Sequence, residues 1–110
     1  MKTHLIKVQS ITDYVLGHQN SKIPFDNWLL VLRYASWNQP SDILNTFPSA
    51  DLLGDGRNRV IFNIGGNRFR LICSYHFGKR EAHLFVCWMG THADYTQLCA
   101  KNLQYTVSDY

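Results

Sequence analysis

The second half of the chain contains several side chains of the types that act on phosphate groups. Two arginines flank a phenylalanine, and a histidine and a tyrosine follow later: Arg68, Arg70, His92 and Tyr95. Guanidinium groups bind phosphate oxygens through paired hydrogen bonds, and histidine and tyrosine can transfer protons to and from oxygen. These residue types predict phosphodiester binding with acid–base chemistry.

Cleavage of RNA without a metal requires a base for the 2′-hydroxyl, cations for the scissile phosphate and a proton donor for the leaving oxygen. In this chain the arginines supply the cations, His92 or Tyr95 could act as acid or base, and Asn63 or Asn67 could orient the phosphate. From the residues alone, a solvated sheet face with a nearby carboxylate is the favoured interpretation for Arg68 and Arg70. For His92, capping or packing in a turn is about as plausible as catalysis.

Residues 59–72 predict a β-hairpin, because apolar and polar residues alternate on both sides of Gly65-Gly66. The predicted pairs are Phe62 with Phe69, Asn63 with Arg68, and Ile61 with Arg70. This register places Asn63, Arg68 and Arg70 on one face of the sheet and the apolar residues on the other.

A second hairpin is predicted to turn at residues 78–81. Its predicted pairs are Phe77 with Ala82, Tyr75 with Leu84, Cys73 with Val86, and Leu71 with Trp88. The opposite face then holds Arg70, Ile72, Ser74 and His76 beside His83, Phe85, Cys87 and Met89, a mixture typical of a binding surface. Lys79 and Arg80 lie at the tip, where a solvated turn is the simplest interpretation and RNA backbone contact the alternative.

The elements around the hairpins are predicted from capping and periodicity. A short strand at residues 4–7 precedes a helix capped by Ser10, a core helix starting near Asp26, and a short helix capped by Ser41. Residues 51–58 are predicted to form a loop. Thr91 is predicted to cap a final helical turn containing Tyr95 and Leu98.

Composition favours one small globular domain spanning residues 1–110, with 45% hydrophobic residues, a formal charge of +3 and a pI near 8.9. The three cysteines are odd in number and lack Cys-x-x-Cys spacing, and there is no apolar leader or long apolar run. These features predict a reduced cytoplasmic protein and no membrane association. The five histidines lack zinc-ligand spacing, so neither a metal nor another cofactor is predicted.

The segments Arg59–Ile72 and Gly90–Tyr95, together with Trp37, residues 47–51 and residues 104–107, resemble the HigB family of RNA-cleaving toxins from type II toxin–antitoxin modules. That family belongs to the RelE-like group of ribosome-dependent mRNA interferases. The resemblance implies an α+β, RelE-like single domain with N-terminal helices packed on a twisted antiparallel β-sheet. It also implies metal-independent cleavage of translated mRNA and a HigA-like helix-turn-helix antitoxin, through which alone the toxin would contact operator DNA.

Within this resemblance, Arg70, His92 and Tyr95 are the expected catalytic residues. The expected RNA-binding residues are Asn63, Asn67, Arg68, Lys79 and Arg80. Cys87 departs from the family, many of whose members have arginine there, and this loss of a cation puts activity in doubt. Thr96 stands where the family often has aspartate. Two alternatives are a catalytically weakened, antitoxin-binding co-repressor or decoy, and a relative that inhibits another target such as a topoisomerase.

Overall fold

The computed structural model describes residues 1–54 and 56–110 and shows an α+β arrangement. In chain order the elements are β1 (Lys2–Ile6), α1 (Val8–Gly17), α2 (Lys22–Arg33), α3 (Pro40–Thr46), β2 (Asp51–Leu53), β3 (Arg59–Ile64), β4 (Phe69–Phe77), β5 (Glu81–Thr91) and α4 (His92–Ala100), with 3₁₀ turns at Gln19–Ser21 and Leu103–Tyr105. The strand order is β1-β5-β4-β3-β2. β1 runs parallel to β5 and the other pairs are antiparallel, so the predicted fold class is confirmed with a mixed sheet.

The first face of the sheet packs against α1, α2 and α3 and forms the main core. Aromatic rings fill its centre, where Trp28 and Phe47 stack at 5.6 Å and both contact Phe62 edge-on. Trp37 is also buried there, and its indole N–H donates to Thr46 Oγ1 at 2.9 Å. Trp28 and Trp37 are therefore core residues.

The three N-terminal helices form as predicted, although their first residues differ. α1 starts at Val8, directly after Lys7, whose φ is 68°, so Ser10 lies inside the helix. α2 starts at Lys22, directly after the 3₁₀ turn Gln19–Ser21. Pro24 has no backbone N–H and is tolerated in the first turn, because N–H groups there have no partner within the helix. At twelve residues it is the longest helix. No helix among the described residues is long and apolar enough to span a membrane.

The N-cap of the third helix differs from the predicted one. The N-cap is Gln39 rather than Ser41, with Pro40 in the first helical position. The carboxylate of Asp42 accepts hydrogen bonds from the backbone N–H groups of Asn38 at 2.8 Å and Gln39 at 3.2 Å. The N-terminus is thus satisfied by an acidic side chain in the first turn.

The hairpin of β3 and β4 has its apolar and polar faces as predicted, but its register was wrong by two residues. Asn63 lies opposite Arg70, and Phe62 lies opposite Leu71. The turn between the strands spans residues 65–68, which is two residues longer than predicted. Gly65 and Gly66 adopt positive φ angles of 64° and 70° there, which glycine allows without strain. A shift of two residues leaves every side chain on its predicted face.

The segment predicted as the loop 51–58 begins as a strand. Residues 51–53 form β2, which pairs with β3 and places Leu52 opposite Val60. The loop prediction was therefore wrong for these three residues. Residues 54 and 56–58 lie in turns or irregular structure, and residue 55 lies outside the described residues.

β5 contains a bulge that changes which side chains face which side. The predicted pairs Phe77 with Ala82, Tyr75 with Leu84, and Cys73 with Val86 are confirmed. Beyond them the register shifts by one residue at Cys87, so Leu71 pairs with Met89 and Ile72 with Trp88. Met89 therefore packs in the main core, and the expectation that it lies on the opposite face was wrong.

The second face of the sheet is partly covered by α4 and the C-terminal segment. A small apolar cluster, hereafter the α4-side cluster, contains Ile61, Ile72, Cys87 and Trp88 and packs against Leu53, Tyr95, Leu98 and Val107. This part of the face was predicted to be open and is buried instead. The predicted cross-strand neighbours His76 and His83 lie on the uncovered part, with their rings stacked 6.4 Å apart.

Candidate active site

The pairing of β4 with β5 brings Arg70 beside the start of α4. Arg70 lies opposite Gly90, and Phe69 lies opposite Thr91, the last residue of β5. The backbone N–H of His92 then donates to the carbonyl oxygen of Arg68 at 3.0 Å. Two segments distant in sequence therefore meet at one end of the sheet.

A capping box fixes the first turn of α4. The backbone N–H of Asp94 donates to Thr91 Oγ1, and the backbone N–H of Thr91 donates to Asp94 Oδ2, both at 3.1 Å. The prediction that Thr91 caps this helix is confirmed. Asp94 was missed, although its position three residues after a threonine is a recognisable capping signal.

Arg70 is buried, with 7% of its surface exposed, and is held by three hydrogen bonds. Its Nη1 donates to the carbonyl oxygen of Phe69 at 3.1 Å, and its Nη2 lies 3.4 Å from Asn67 Oδ1 and 3.0 Å from His92 Nδ1. The guanidinium carbon lies 5.8 Å from the centre of the Tyr95 ring. The structure thus brings Arg70, His92 and Tyr95 together.

The contact between Arg70 and His92 determines the tautomer of the imidazole. A guanidinium group has only donors, so Nδ1 of His92 must accept this hydrogen bond. The ring is then neutral with its proton on Nε2. In this arrangement His92 offers a donor to the surroundings, and its lone pair is occupied by Arg70.

No ion pair between described residues balances the charge of Arg70. Among the described residues the ion pairs join His4 to Glu81 and Lys22 to Asp26, and none includes Arg70. A buried charge is normally paired, because removing it from water is costly. Because its hydrogen-bond partners are neutral, the charge of this guanidinium is available to pair with an external anion.

Tyr95 is kept in its protonated form. Burial raises the pKa of its phenol, and a hydrogen bond with Cys99 and the nearby negative charge of Asp51 raise it further, while Arg70 acts in the opposite direction. The phenol therefore keeps its proton at neutral pH. It can donate a hydrogen bond or a proton, but it is poorly suited to act as a base.

The remaining predicted RNA-binding residues occupy two different places. Asn63 faces Arg70 across the β3–β4 pair and donates its amide N–H to the carbonyl oxygen of Ser49 at 3.0 Å. Arg68 is exposed in the turn just before β4, its guanidinium 5.8 Å from the Phe69 ring. Lys79 and Arg80 lie at the opposite end of β4, so the structure does not bring them into this cluster.

Cys87 lies on the second face, as predicted, but it is not part of an open surface. It is the bulged residue of β5, it has 4% of its surface exposed, and it packs in the α4-side cluster. Its backbone carbonyl accepts a hydrogen bond from the N–H of Asp109 at 2.9 Å. The sulfur therefore occupies apolar space beneath α4, and the expected exposure was wrong.

Gly90 and Trp88 support the site and were not predicted to do so. A Cβ atom on residue 90 would lie 2.4 Å from the indole of Trp88, so only glycine lets that ring lie across the strand. The ring lies 6.2 Å from that of Tyr95. Beside it is a cleft of about 320 Å³, lined by Trp88, Asp94, Gln97 and Lys101 among others.

The family model for HigB toxins, described as the RelE-like toxic component of a toxin–antitoxin system, matches residues 21–98. The matched span is more than half of the chain and includes Arg70, His92 and Tyr95. No curated protein matches the chain significantly.

Proposed function

The chain belongs to the HigB family of RelE-like toxins, and from this premise we propose that it is a ribosome-dependent endoribonuclease that cleaves translated mRNA without a metal. Membership of a toxin–antitoxin family implies an antitoxin partner. The proposed partner is a HigA-like helix-turn-helix protein that silences the toxin and binds operator DNA. The proposed site of action is the ribosome in the cytoplasm, and the whole chain acts as one toxin domain.

The buried, unbalanced charge of Arg70 is the observation that carries this proposal. A phosphodiester is the anion that fits it, because phosphate oxygens accept paired hydrogen bonds from a guanidinium. The low exposure of Arg70 strengthens its interaction with an incoming charge. Asn67 and the Phe69 carbonyl hold the guanidinium in place before RNA arrives, so little reorganisation is needed.

The proposed mechanism begins when a phosphate oxygen replaces His92 at Arg70. This exchange frees the lone pair on Nδ1, which can then accept the proton of the 2′-hydroxyl. The 2′-oxygen forms a bond to phosphorus while the bond from phosphorus to the 5′-oxygen breaks. Tyr95, which holds its proton, supplies it to the leaving 5′-oxygen. His92 then releases the proton that it accepted, and Tyr95 is reprotonated through water, so both groups return to their starting forms. Arg70 stabilises the charge that develops on the phosphate.

Asn63, Asn67 and Arg68 are the proposed RNA contacts next to this centre. Asn67 already hydrogen-bonds Arg70, and Arg68 is exposed at the same turn. Lys79 and Arg80 are proposed as backbone contacts outside the centre, because an exposed turn holds them at the far end of β4. Their contribution is electrostatic and does not depend on exact placement.

Primer extension on a translated reporter transcript tests the proposal. Induction of the chain should arrest growth and produce new 5′ ends within the reading frame. The matched control is the same transcript without its start codon, which should remain intact. Equal cleavage of both transcripts would contradict ribosome dependence, and an intact translated transcript with normal growth would contradict nuclease activity.

A second candidate function is antitoxin binding without effective cleavage, as a co-repressor or decoy. The observation in its favour is that a buried cysteine stands at position 87, where many family members have arginine. This function predicts a stable complex with the antitoxin but no cleavage and no growth arrest. The same primer-extension experiment separates the two functions.

A further inference from the structure

Helix α2 has two apolar stripes, and only one of them contacts the core. Phe25, Trp28 and Leu32 are buried against the sheet. The second stripe, hereafter the outer stripe, consists of Ile23, Leu30, Val31 and the capping residue Tyr34, with exposed fractions of 71%, 53%, 46% and 79%. Their spacing places them along one side of the helix. A helix that is apolar on both sides normally has a partner on each.

Two clefts on the α1 side of α2, next to but not lined by the outer stripe, provide recesses for a partner's side chains. A cleft of about 270 Å³ between α1 and α2 is lined by Ile11, Val15, Leu16 and Leu29 and by the ion pair of Lys22 with Asp26, among others. A second, of about 360 Å³, is lined by Leu5, Val8, Leu29, Leu32 and Arg33 among others. Leu29 belongs to both, so the two clefts adjoin. Ridges and recesses together are typical of a surface that binds a helix.

The outer stripe and Arg70 are separated by the sheet. α2 packs on the first face, whereas Arg70, His92 and α4 lie on the second face. The start of α2 comes near the turn before Arg70, since a Cβ atom on Gly65 would lie 3.0 Å from Pro24. A partner on the outer stripe would therefore adjoin this turn but would not cover Arg70 or His92 directly. Silencing from this side would act by preventing entry into the ribosome rather than by filling the site.

One cation near the outer stripe favours a partner with carboxylates, since the other two charges beside it, Lys22 and Asp26, form an ion pair with each other. Arg33 lines the second cleft at the C-terminal turn of α2, and no ion pair among the described residues includes it. The chain as a whole carries a formal charge of +3. A second copy would bring the same cations to the interface, whereas a partner with carboxylates would be attracted.

We propose that the outer stripe and its two clefts are the docking surface for the antitoxin, which binds with an amphipathic helix. That helix would place aliphatic or aromatic residues in the clefts and a carboxylate near Arg33. The proposal rests on the proposed function, because it takes the family's antitoxin as the occupant. It adds the place of contact and the chemistry of the contacting segment.

The test uses the purified product of the reading frame next to the toxin's own. The variant Ile23→Glu/Tyr34→Glu places two charges on the outer stripe, and Arg33→Glu reverses the nearby cation. Phe85→Glu is the matched control, because Phe85 is 37% exposed but lies on β5. All replaced side chains are solvent-exposed, and thermal melting verifies the fold of each variant.

The double variant should bind the neighbouring product at least about 30-fold more weakly, since the loss of one central hot-spot contact weakens binding by about that factor. Arg33→Glu should weaken it by about 10-fold, and Phe85→Glu should leave it unchanged. In cells, the double variant should arrest growth like the parent, and co-expression of the neighbouring product should no longer restore growth.

Unchanged binding and rescue of the double variant would overturn the proposal, as would a parent chain that does not bind the neighbouring product. A parent dimer that the double variant abolishes would also overturn it, by identifying a second copy as the occupant. Failure of the proposed nuclease function is distinguishable, since the parent would then neither cleave nor arrest growth while the binding assay still locates the surface.

Discussion

Cationic side chains lie at both ends of β4, and they differ in how they are held. Arg70 is buried and bound to the Phe69 carbonyl, Asn67 and His92. Lys79 and Arg80 are exposed in the turn that follows the strand, roughly 25–30 Å away at about 3.3 Å per residue. The comparison teaches that position and desolvation, rather than charge alone, distinguish a candidate catalytic cation from a surface one.

The two ends also differ in what surrounds the charge. At the Arg70 end the strand pairing, the bulge and a capped helix hold the neighbouring groups in place. At the other end the cations are surrounded by water, which weakens their electrostatic effect and allows many conformations.

The largest effect is expected from Arg70→Met, which removes the charge and keeps an unbranched chain. Cleavage of a translated transcript should fall by about 10³-fold, because a preorganised cation no longer stabilises the phosphate. The free energy of unfolding should not fall, since replacing a buried ion by an apolar side chain is often neutral or stabilising. Primer extension and urea denaturation measure the two quantities.

Arg68→Met is the matched control for this change. Arg68 is the same residue type two positions earlier and is exposed, so its loss should reduce cleavage much less. Equal effects of the two substitutions would contradict the distinction between buried and exposed cations at this end of the sheet.

The second effect concerns Cys87→Arg, which would restore the residue common in the family. Cys87 lies in apolar space beneath α4, so the guanidinium would be buried without a partner. We expect a loss of about 3 kcal/mol in the free energy of unfolding and no gain in cleavage. Cys87→Ala, which adds no charge, should be less destabilising. If Cys87→Arg is stable and cleaves faster than the parent, this expectation is wrong, and α4 moves enough to place the guanidinium at the site.

The third effect is expected from Tyr95→Phe, which keeps the ring over Arg70 and removes the hydroxyl. If Tyr95 supplies the proton to the leaving oxygen, cleavage should fall by about 10²-fold with little change in thermal stability. The raised pKa of this phenol implies that activity should not require its ionised form. If the phenylalanine variant cleaves at the wild-type rate, Tyr95 is not the proton donor and its role is in packing.

The smallest effect is expected at the far end of β4. The double variant Lys79→Ala/Arg80→Ala should reduce cleavage by about 3-fold or less at physiological salt, because exposed cations contribute little individually. The loss should become larger at low ionic strength. A loss as great as that of Arg70→Met would mean that this turn positions RNA directly.

Much of the site could be predicted because its signals are local in sequence. The alternation around Gly65-Gly66 assigned Arg70 and Asn63 to one face, and this assignment survived a two-residue error in register. The threonine before His92 predicted the start of α4. The meeting of Arg70 with His92 then follows from the hairpin between them.

The bulge at Cys87 could not be predicted, because the residues around it give no alternation. Val86, Cys87, Trp88 and Met89 are all apolar, so shifting the pattern by one residue leaves it unchanged. The shift is determined by packing, since Trp88 lies beneath α4 and Met89 lies in the main core. Only the tertiary structure distinguishes these two positions.

The short strand β2 and the exact helix starts were missed for a related reason. β2 has only three residues, and it is a strand because it pairs with the edge of β3. No local sequence pattern indicates this pairing. Gln39 is an unusual cap whose role depends on Asp42 and Pro40. Where an element depends on a distant or atypical neighbour, sequence periodicity carries little information about it.

The C-terminal segment has a consequence for how the protein behaves in a crowded cell. β1 ends at Ile6, opposite Phe85, and β5 continues to Thr91 beyond its neighbour. Two hydrogen bonds hold the C-terminal segment. Its Val107 carbonyl accepts from the side chain of Arg59 at 2.7 Å, and its Asp109 N–H donates to the carbonyl of Cys87. It thereby satisfies one backbone carbonyl on the stretch of β5 that β1 does not pair. Exposed strand edges can pair with other chains, so detachment of the segment would leave this stretch open to such pairing.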